Sequence, residues 1–273
     1  MVSGVQLLDV FLNGLTIGMV YVLVAAGLSV VFGVMGVLNL AHGELLALGA
    51  YFAFSLVTGF DAGGFWVALI AVPLLVGGIG AATERGLVNR VYGRGQLAQI
   101  LLTFGITITM EQFMRMIVEF RDINNGQWNL DWASPRRQTL PSELGDGGFL
   151  FIEYTNLQLF EILLGVLTVV GIWAFLNRTR YGLFVRAGVE DEEMAKALGI
   201  NINRTFTAVF AVGSGLAGIA GVMLALDPLW AVNVPLALAV LLPAFVIVIV
   251  GGLGSFTGTA VASLLVGMID ALG

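Results

Sequence analysis

The residues best equipped for chemistry are few, and they fall in three groups. Asn39, His42 and Glu44 sit close together in a stretch with no other charged residue between Asp9 and Asp61. A carboxylate carried to membrane depth costs about 2.5–3.5 kcal/mol on insertion scales, so it needs compensation. One reading places Glu44 in the first turn of a helix that begins near Gly43, where a negative charge satisfies free amides and the helix dipole. The other makes Asn39, His42, Gly43 and Glu44 the polar lining of a solute route, a reading compatible with the first because such routes are built at broken-helix ends. Glu111 and Arg115 stand four apart on a predicted helix and read as a structural ion pair near the outer membrane face. The third group is acidic. Glu190, Asp191, Glu192 and Glu193 precede Met194, Ala195, Leu198 and Gly199, a pattern that predicts a short helix near 189–198 with acids in its first turn and glycine at its end. Interfacial membrane helices carry Lys and Arg on their polar face, so this one suits a protein partner better than anionic lipid.

Other chemistries are excluded by what is absent. The chain has no cysteine, one histidine and one lysine, Lys196, which no glycine precedes. Thiolate zinc sites, disulfides, cysteine nucleophiles and multi-histidine metal sites go with the first two counts, and the phosphate-binding pattern G-x-x-x-x-G-K-[ST] goes with the third. A net charge of -6 repels nucleic-acid phosphates. Between 205 and 269 only Asp227 is ionisable, which disfavours an ion-coupled relay.

The elements that must position these groups are membrane spans. Of 273 residues 58% are hydrophobic and only 11% charged, too little charge to clothe a water-exposed surface. The expected fold is all-α: one polytopic transmembrane domain over 1–273 with about eight apolar segments, some broken or re-entrant. The segments are roughly 10–33, 45–58, 65–82, 97–118, 156–176, 205–226, 236–252 and 258–272. Residues 27–41 read as a glycine-rich half-segment. The N-terminus is external if that half-segment re-enters, and internal if it crosses. It has no basic region of the kind that precedes a cleavage site, so the first run is expected to stay as an anchor. Eight of the twelve basic residues lie in 84–95 and 177–204, which places both loops in the cytoplasm. The loop 119–155 is then external, and Trp128, Trp132 and Trp230 fall on that side. Gly213, Gly215, Gly218 and Gly221 predict a face for close helix packing. Glycines interrupt apolar runs at 33–43 and again at 251–258, where Gly251, Gly252 and Gly254 read either as a second broken helix on the solute route or as a tight turn.

The stretch GLSVVFGVMGVLNLAHGELLALGAY (27–51) closely resembles the signature of the branched-chain amino acid ABC transporter permeases of the LivH type. RYGLFVRAGVEDEEMAKALGININR and IVIVGGLGSFTGTAVASLLVG are similar to later parts of the same family. The resemblance implies the membrane half of an ATP-driven importer in the cell membrane, with no cofactor of its own and ATP hydrolysed by other subunits. It implies as partners a homologous second permease, two cytoplasmic ATPases, an extracellular solute-binding protein and membrane lipid, with no nucleic acid. It also implies that Glu193, Met194, Ala195, Leu198 and Gly199 couple to the ATPases, because the family pattern E-A-A-x-x-x-G fits there with Met194 in place of the first alanine. The resemblance further implies another hydrophobic segment and a basic tail beyond Gly273. Urea, amides or other amino acids are alternative solutes, and an ion-coupled secondary transporter is the alternative class.

Overall fold

An apolar run in lipid has no water to satisfy its peptide groups, so it closes its own hydrogen bonds as helix. The computed structural model, which describes residues 4–60, 63–123, 156–227, 230 and 232–272, follows that rule throughout. Its helices are α1 (Gly4–Met35), α2 (His42–Phe60), α3 (Gly64–Gly86), α4 (Gln96–Ile123), α5 (Asn156–Arg178), α6 (Arg180–Glu190), α7 (Glu192–Ala197), α8 (Ile202–Leu226), α9 (Leu236–Val250) and α10 (Phe256–Asp270). A 3-10 helix, Val88–Arg94, joins α3 to α4. Six of these helices are long and apolar enough to span a bilayer, and α9 and α10 are shorter apolar helices, matching the eight expected segments.

The bundle is organised around α8. Its glycines let three neighbours approach almost backbone to backbone: Gly213 faces Gly27 of α1, Gly215 and Gly218 face Pro73 of α3, and Gly221 lies against Leu46 and Ala50 of α2. The four glycines expected to form a packing face therefore do so, divided among several partners. A second seam joins the first and last helices. Gly14 of α1 meets Met268 of α10, Gly18 meets Leu264 and Gly267, Ser29 accepts a hydrogen bond from Thr259 at 3.0 Å, and Gly33 touches Gly254.

These contacts fix relative direction. Rising numbers on α1 meet falling numbers on α10, and likewise on α8, where Gly27 faces Gly213 while Val30 and Val34 share a cluster with Val209. Helix α8 leaves the 177–204 loop, so α1 ends on that loop's side and begins on the opposite side. The N-terminus therefore lies on the side opposite the 177–204 loop, which is the external side on the expectation drawn from loop charge.

The expected half-segment 27–41 is not a separate piece. Residues up to Met35 belong to α1, a single helix of 32 residues. It stops because Gly36 adopts φ +61, and the Gly36 amide donates to the Phe32 carbonyl at 2.8 Å. That left-handed stop is open to glycine and strained for most other residues. Only 36–41 is non-helical. The single helix expected near 189–198 is also two helices, α6 and α7. Asp191 is extended between them, and its side chain accepts from the Met194 amide at 2.9 Å. It therefore acts as an N-cap rather than as a first-turn acid. Of the external loop, 119–123 continues α4, while 124–155, with Trp128 and Trp132, lies outside the described residues.

The native absence of cysteine makes sidedness testable. Gly63→Cys, at the exposed turn before α3, should react with an impermeant thiol reagent in intact cells. Leu198→Cys, exposed in the 177–204 loop, should react only after permeabilisation. The reverse pattern would invert the topology.

Candidate functional site at the helix break

Non-helical backbone inside a bundle must find partners among side chains and neighbouring helices. Along 36–41 it does. The Leu38 carbonyl accepts from Thr103 Oγ1 of α4 at 3.1 Å, Asn39 Oδ1 accepts from the Ala41 amide at 3.1 Å, and the Asn39 carbonyl accepts from the His42 amide at 3.3 Å. Val37, Asn39 and Ala41 are buried. The segment runs back alongside α1, because His42 Nε2–H donates to the Val24 carbonyl at 3.1 Å. Val24 precedes the end of α1 by eleven residues, about 16 Å along a helix. Helix α2 therefore begins well back from the end of α1, within the bundle rather than at its end.

A second helix starts beside it. A Cβ on Gly43 would meet the Ala237 carbonyl and the Leu241 side chain in the first turns of α9. The chain between α8 and α9 is non-helical at the described residues Asp227, Trp230 and Val232. Two helix N-termini therefore meet inside the bundle, each presenting amides that its own helix cannot satisfy and the positive end of its dipole.

The four residues named from sequence divide their work here. His42 is fully buried over Gly27 and braces α2 to α1 through the Val24 bond. Gly43 provides the room for α9. Asn39, rather than Glu44, makes the side-chain bond at the helix start. Glu44 is 3% exposed and Asn39 1% exposed, yet Glu44 Oε2 and Asn39 Nδ2 have no hydrogen-bond partner in the described structure. Glu111 and Arg115 of α4 lie near enough to act on the Glu44 charge, and Tyr51 lies near both Glu44 and Arg115. Arg115 is paired with Glu111 at 2.7 Å, as their spacing implied.

Gly251, Gly252 and Gly254 are elsewhere. They form the tight turn between α9 and α10, with φ +92 at Gly252 and +87 at Gly254. Gly254 touches Gly33 near the C-terminal end of α1, not the Asn39–Glu44 group. The C-terminal partner of the first helix break is thus the segment before α9, not the glycines after it. A cleft of about 580 Å³ opens by this turn, between Ser29, Gly33, Asn177, Arg186, Glu190 and Phe256.

In the 177–204 loop, Gly199 closes α7 with φ +83. Its amide donates to the Lys196 carbonyl at 3.0 Å, and Ile200 donates to the Ala195 carbonyl at 3.1 Å. This paired closure ends a helix at a left-handed glycine. Ala195 is buried against the chain, while Met194 and Leu198 are 58% and 73% exposed. Apolar side chains thus project from a loop that faces water.

Sequence reasoning passed over two buried acids. Glu84, at the inner end of α3, accepts from Tyr92 Oη and Thr207 Oγ1, each at 2.6 Å, and so ties the 3-10 helix to α8. Burial, and then the hydrogen bond to Glu84 and its charge, raise the Tyr92 pKa, which keeps that hydroxyl a donor. Glu161 of α5 is 1% exposed, its Oε1 has no hydrogen-bond partner, and Asp227 lies close enough to act on it. Its signal was present: one carboxylate within an otherwise uncharged run from 156 to 176. Among the described residues no group of three His, Cys, Asp or Glu is arranged to hold a metal.

Comparison with known proteins agrees with this architecture. The chain is 28% identical over 273 residues to the high-affinity branched-chain amino acid transport system permease protein BraD of Pseudomonas aeruginosa, covering 97% of this chain and 86% of that one. It is 27% identical over 272 residues to the permease protein LivH of Escherichia coli K12, covering 95% and 83%. The permease protein LivM of the same organism is 27% identical, covering 92% of this chain and 60% of that longer protein. No solved structure matches. The model of the family described as branched-chain amino acid transport system / permease component matches residues 10–273, and the chain, a multi-pass membrane protein, belongs to that family.

Proposed function

We propose that the chain is a permease subunit of an ATP-binding-cassette importer and that it carries branched-chain amino acids across the membrane. Family membership supplies the class. The observation that carries the route is the meeting of two helix N-termini inside the bundle, beside a buried polar break at 36–44. Discontinuous helices with inward N-termini are where membrane transporters hold solutes. The likeness to both LivH and LivM supports pairing with a second, homologous permease. Two cytoplasmic ATPases and an extracellular solute-binding protein complete the assembly. The chain carries no G-x-x-x-x-G-K-[ST] pattern, which supports ATP hydrolysis by the partners. The exposed Met194 and Leu198 side chains fit an ATPase contact.

Reconstitution with the partner subunits tests this reading. Vesicles should accumulate tritiated leucine only when ATP reaches the cytoplasmic face, and removing the ATPases should stop uptake. Uptake that follows a sodium or proton gradient instead, without ATP, would place the protein in another transport class. Uptake of urea or an amide in preference to leucine would keep the class and change the solute. Within the same assay, Glu44→Gln should lower uptake more than it lowers the amount of assembled protein. Equal losses would leave Glu44 a structural role alone.

A further inference from the structure

The helix break contains a specific mismatch. Asn39 Nδ2 is a donor without an acceptor, and Glu44 Oε2 is an oxygen without a partner, although both side chains are at least 97% buried. Buried polar groups are rarely left so, and each exception calls for a reason. Here the surroundings indicate one. The first turns of α2 and α9 lie side by side at this level of the bundle, Gly43 against Ala237 and Leu241, and helix N-termini favour negative charge. Glu44, in the same first turn of α2, favours positive charge. A simple anion would be repelled by Glu44, and a simple cation would be opposed by two helix N-termini. A molecule carrying both charges a few bonds apart meets neither obstacle.

We propose that Asn39 and Glu44 hold the two charged ends of a zwitterionic α-amino acid at the helix break, Glu44 accepting from its ammonium and Asn39 Nδ2, with the helix-start amides, donating to its carboxylate. This rests on the importer reading above and adds the groups that recognise the solute. Asn39 is suited to its part because Oδ1 is already engaged by the Ala41 amide, which leaves the amide nitrogen as the free end. His42 has no such free donor, since Nε2–H is committed to Val24.

Two conservative substitutions separate the ends. Glu44→Gln removes the charge that would meet the ammonium and keeps size. Asn39→Asp keeps the oxygen that accepts from Ala41 and replaces the free donor with an acceptor. The measurement is equilibrium binding to the assembled transporter, with the solute-binding protein omitted. The probes are leucine, 4-methylpentanoate, which lacks the ammonium, and 3-methylbutylamine, which lacks the carboxylate. Glu44→Gln should weaken leucine and the amine on the order of tenfold to a hundredfold, and should tighten the carboxylate probe because the charge that repels it is gone. Asn39→Asp should weaken leucine and the carboxylate probe and spare the amine. Unchanged leucine binding in both variants, or an equal loss of all three probes, would overturn the proposal. So would a wild-type transporter that imports leucine with ATP yet binds none of the probes. Failure of ATP-driven leucine import in the wild type would instead remove the importer reading on which the site rests.

Discussion

Gly221→Leu is expected to abolish accumulation of folded protein. A Cβ at this position would meet the Leu46 carbonyl, the Ala50 nitrogen at 2.7 Å and the Gly49 carbonyl carbon at 3.0 Å, all of them backbone of α2. Gly49 is itself packed on Gly218, where an added Cβ would come within 3.0 Å of the Gly218 Cα, so α2 cannot slide along α8 to make room. Overpacking a core in which side chains can shift costs about 1–3 kcal/mol. Here a whole helix must move, and in lipid close packing supplies much of the association energy that the hydrophobic effect supplies in water. Total stability of only about 5–15 kcal/mol leaves little margin. The matched control is Gly78→Leu, on the exposed side of α3, where an added Cβ meets nothing within 4 Å. Size-exclusion profiles of detergent extracts should show a monodisperse peak for the control and none for Gly221→Leu. A normal peak for both would mean that α2 and α8 do not pack as described.

The second large effect is expected at the cytoplasmic loop. Gly199→Val puts a β-branched residue at φ +83, which costs on the order of 1–3 kcal/mol, and Ala195→Leu overfills a buried contact one turn earlier. Both should reach the membrane normally, because α7 has only six residues and is not itself a span. Both should displace Met194 and Leu198. If those side chains dock on an ATPase, a penalty of about 1–3 kcal/mol weakens docking on the order of tenfold to a hundredfold. Leu198→Asp reaches the same contact without disturbing the fold, since Leu198 is exposed. Solute-stimulated ATP hydrolysis by the reconstituted complex should fall in all three variants. Normal stimulation in all of them would reduce α7 to a surface segment.

The spans were legible because a run of apolar residues has one structural solution in lipid, and the eight runs needed no knowledge of their neighbours. The break at Asn39–Glu44 was legible because polar residues interrupt such a run. Its C-terminal counterpart was not. The segment before α9 carries only Asp227 as a charge, whereas the glycines at 251–254 gave a stronger local signal and turned out to make a turn. Helices that are apolar on every side do not reveal which face is inward, so Glu161 could not be assigned to the interior from its neighbours. Glu84 looked like part of a basic loop because one of its partners, Thr207, lies 123 residues away. The exchange of roles between Asn39 and Glu44 was equally hidden: both residue types can cap a helix, and only the geometry shows which one does.

The seam between α1 and α10 has a consequence for biosynthesis. Gly14, Gly18 and Gly33 come within van der Waals distance of residues on or just before α10, and Tyr21 Oη donates to Asp270 Oδ2 at 2.9 Å. Helix α1 leaves the ribosome first, whereas its counterpart is made more than 200 residues later. At about 5–20 residues per second, the glycine stripe stays uncovered for roughly ten to fifty seconds. During that interval it is a bare surface suited to any small-residue helix nearby, including the α1 of a neighbouring nascent chain. The slow event in maturation is then the arrival of α10, and premature pairing between two unfinished chains is the error most open to this molecule.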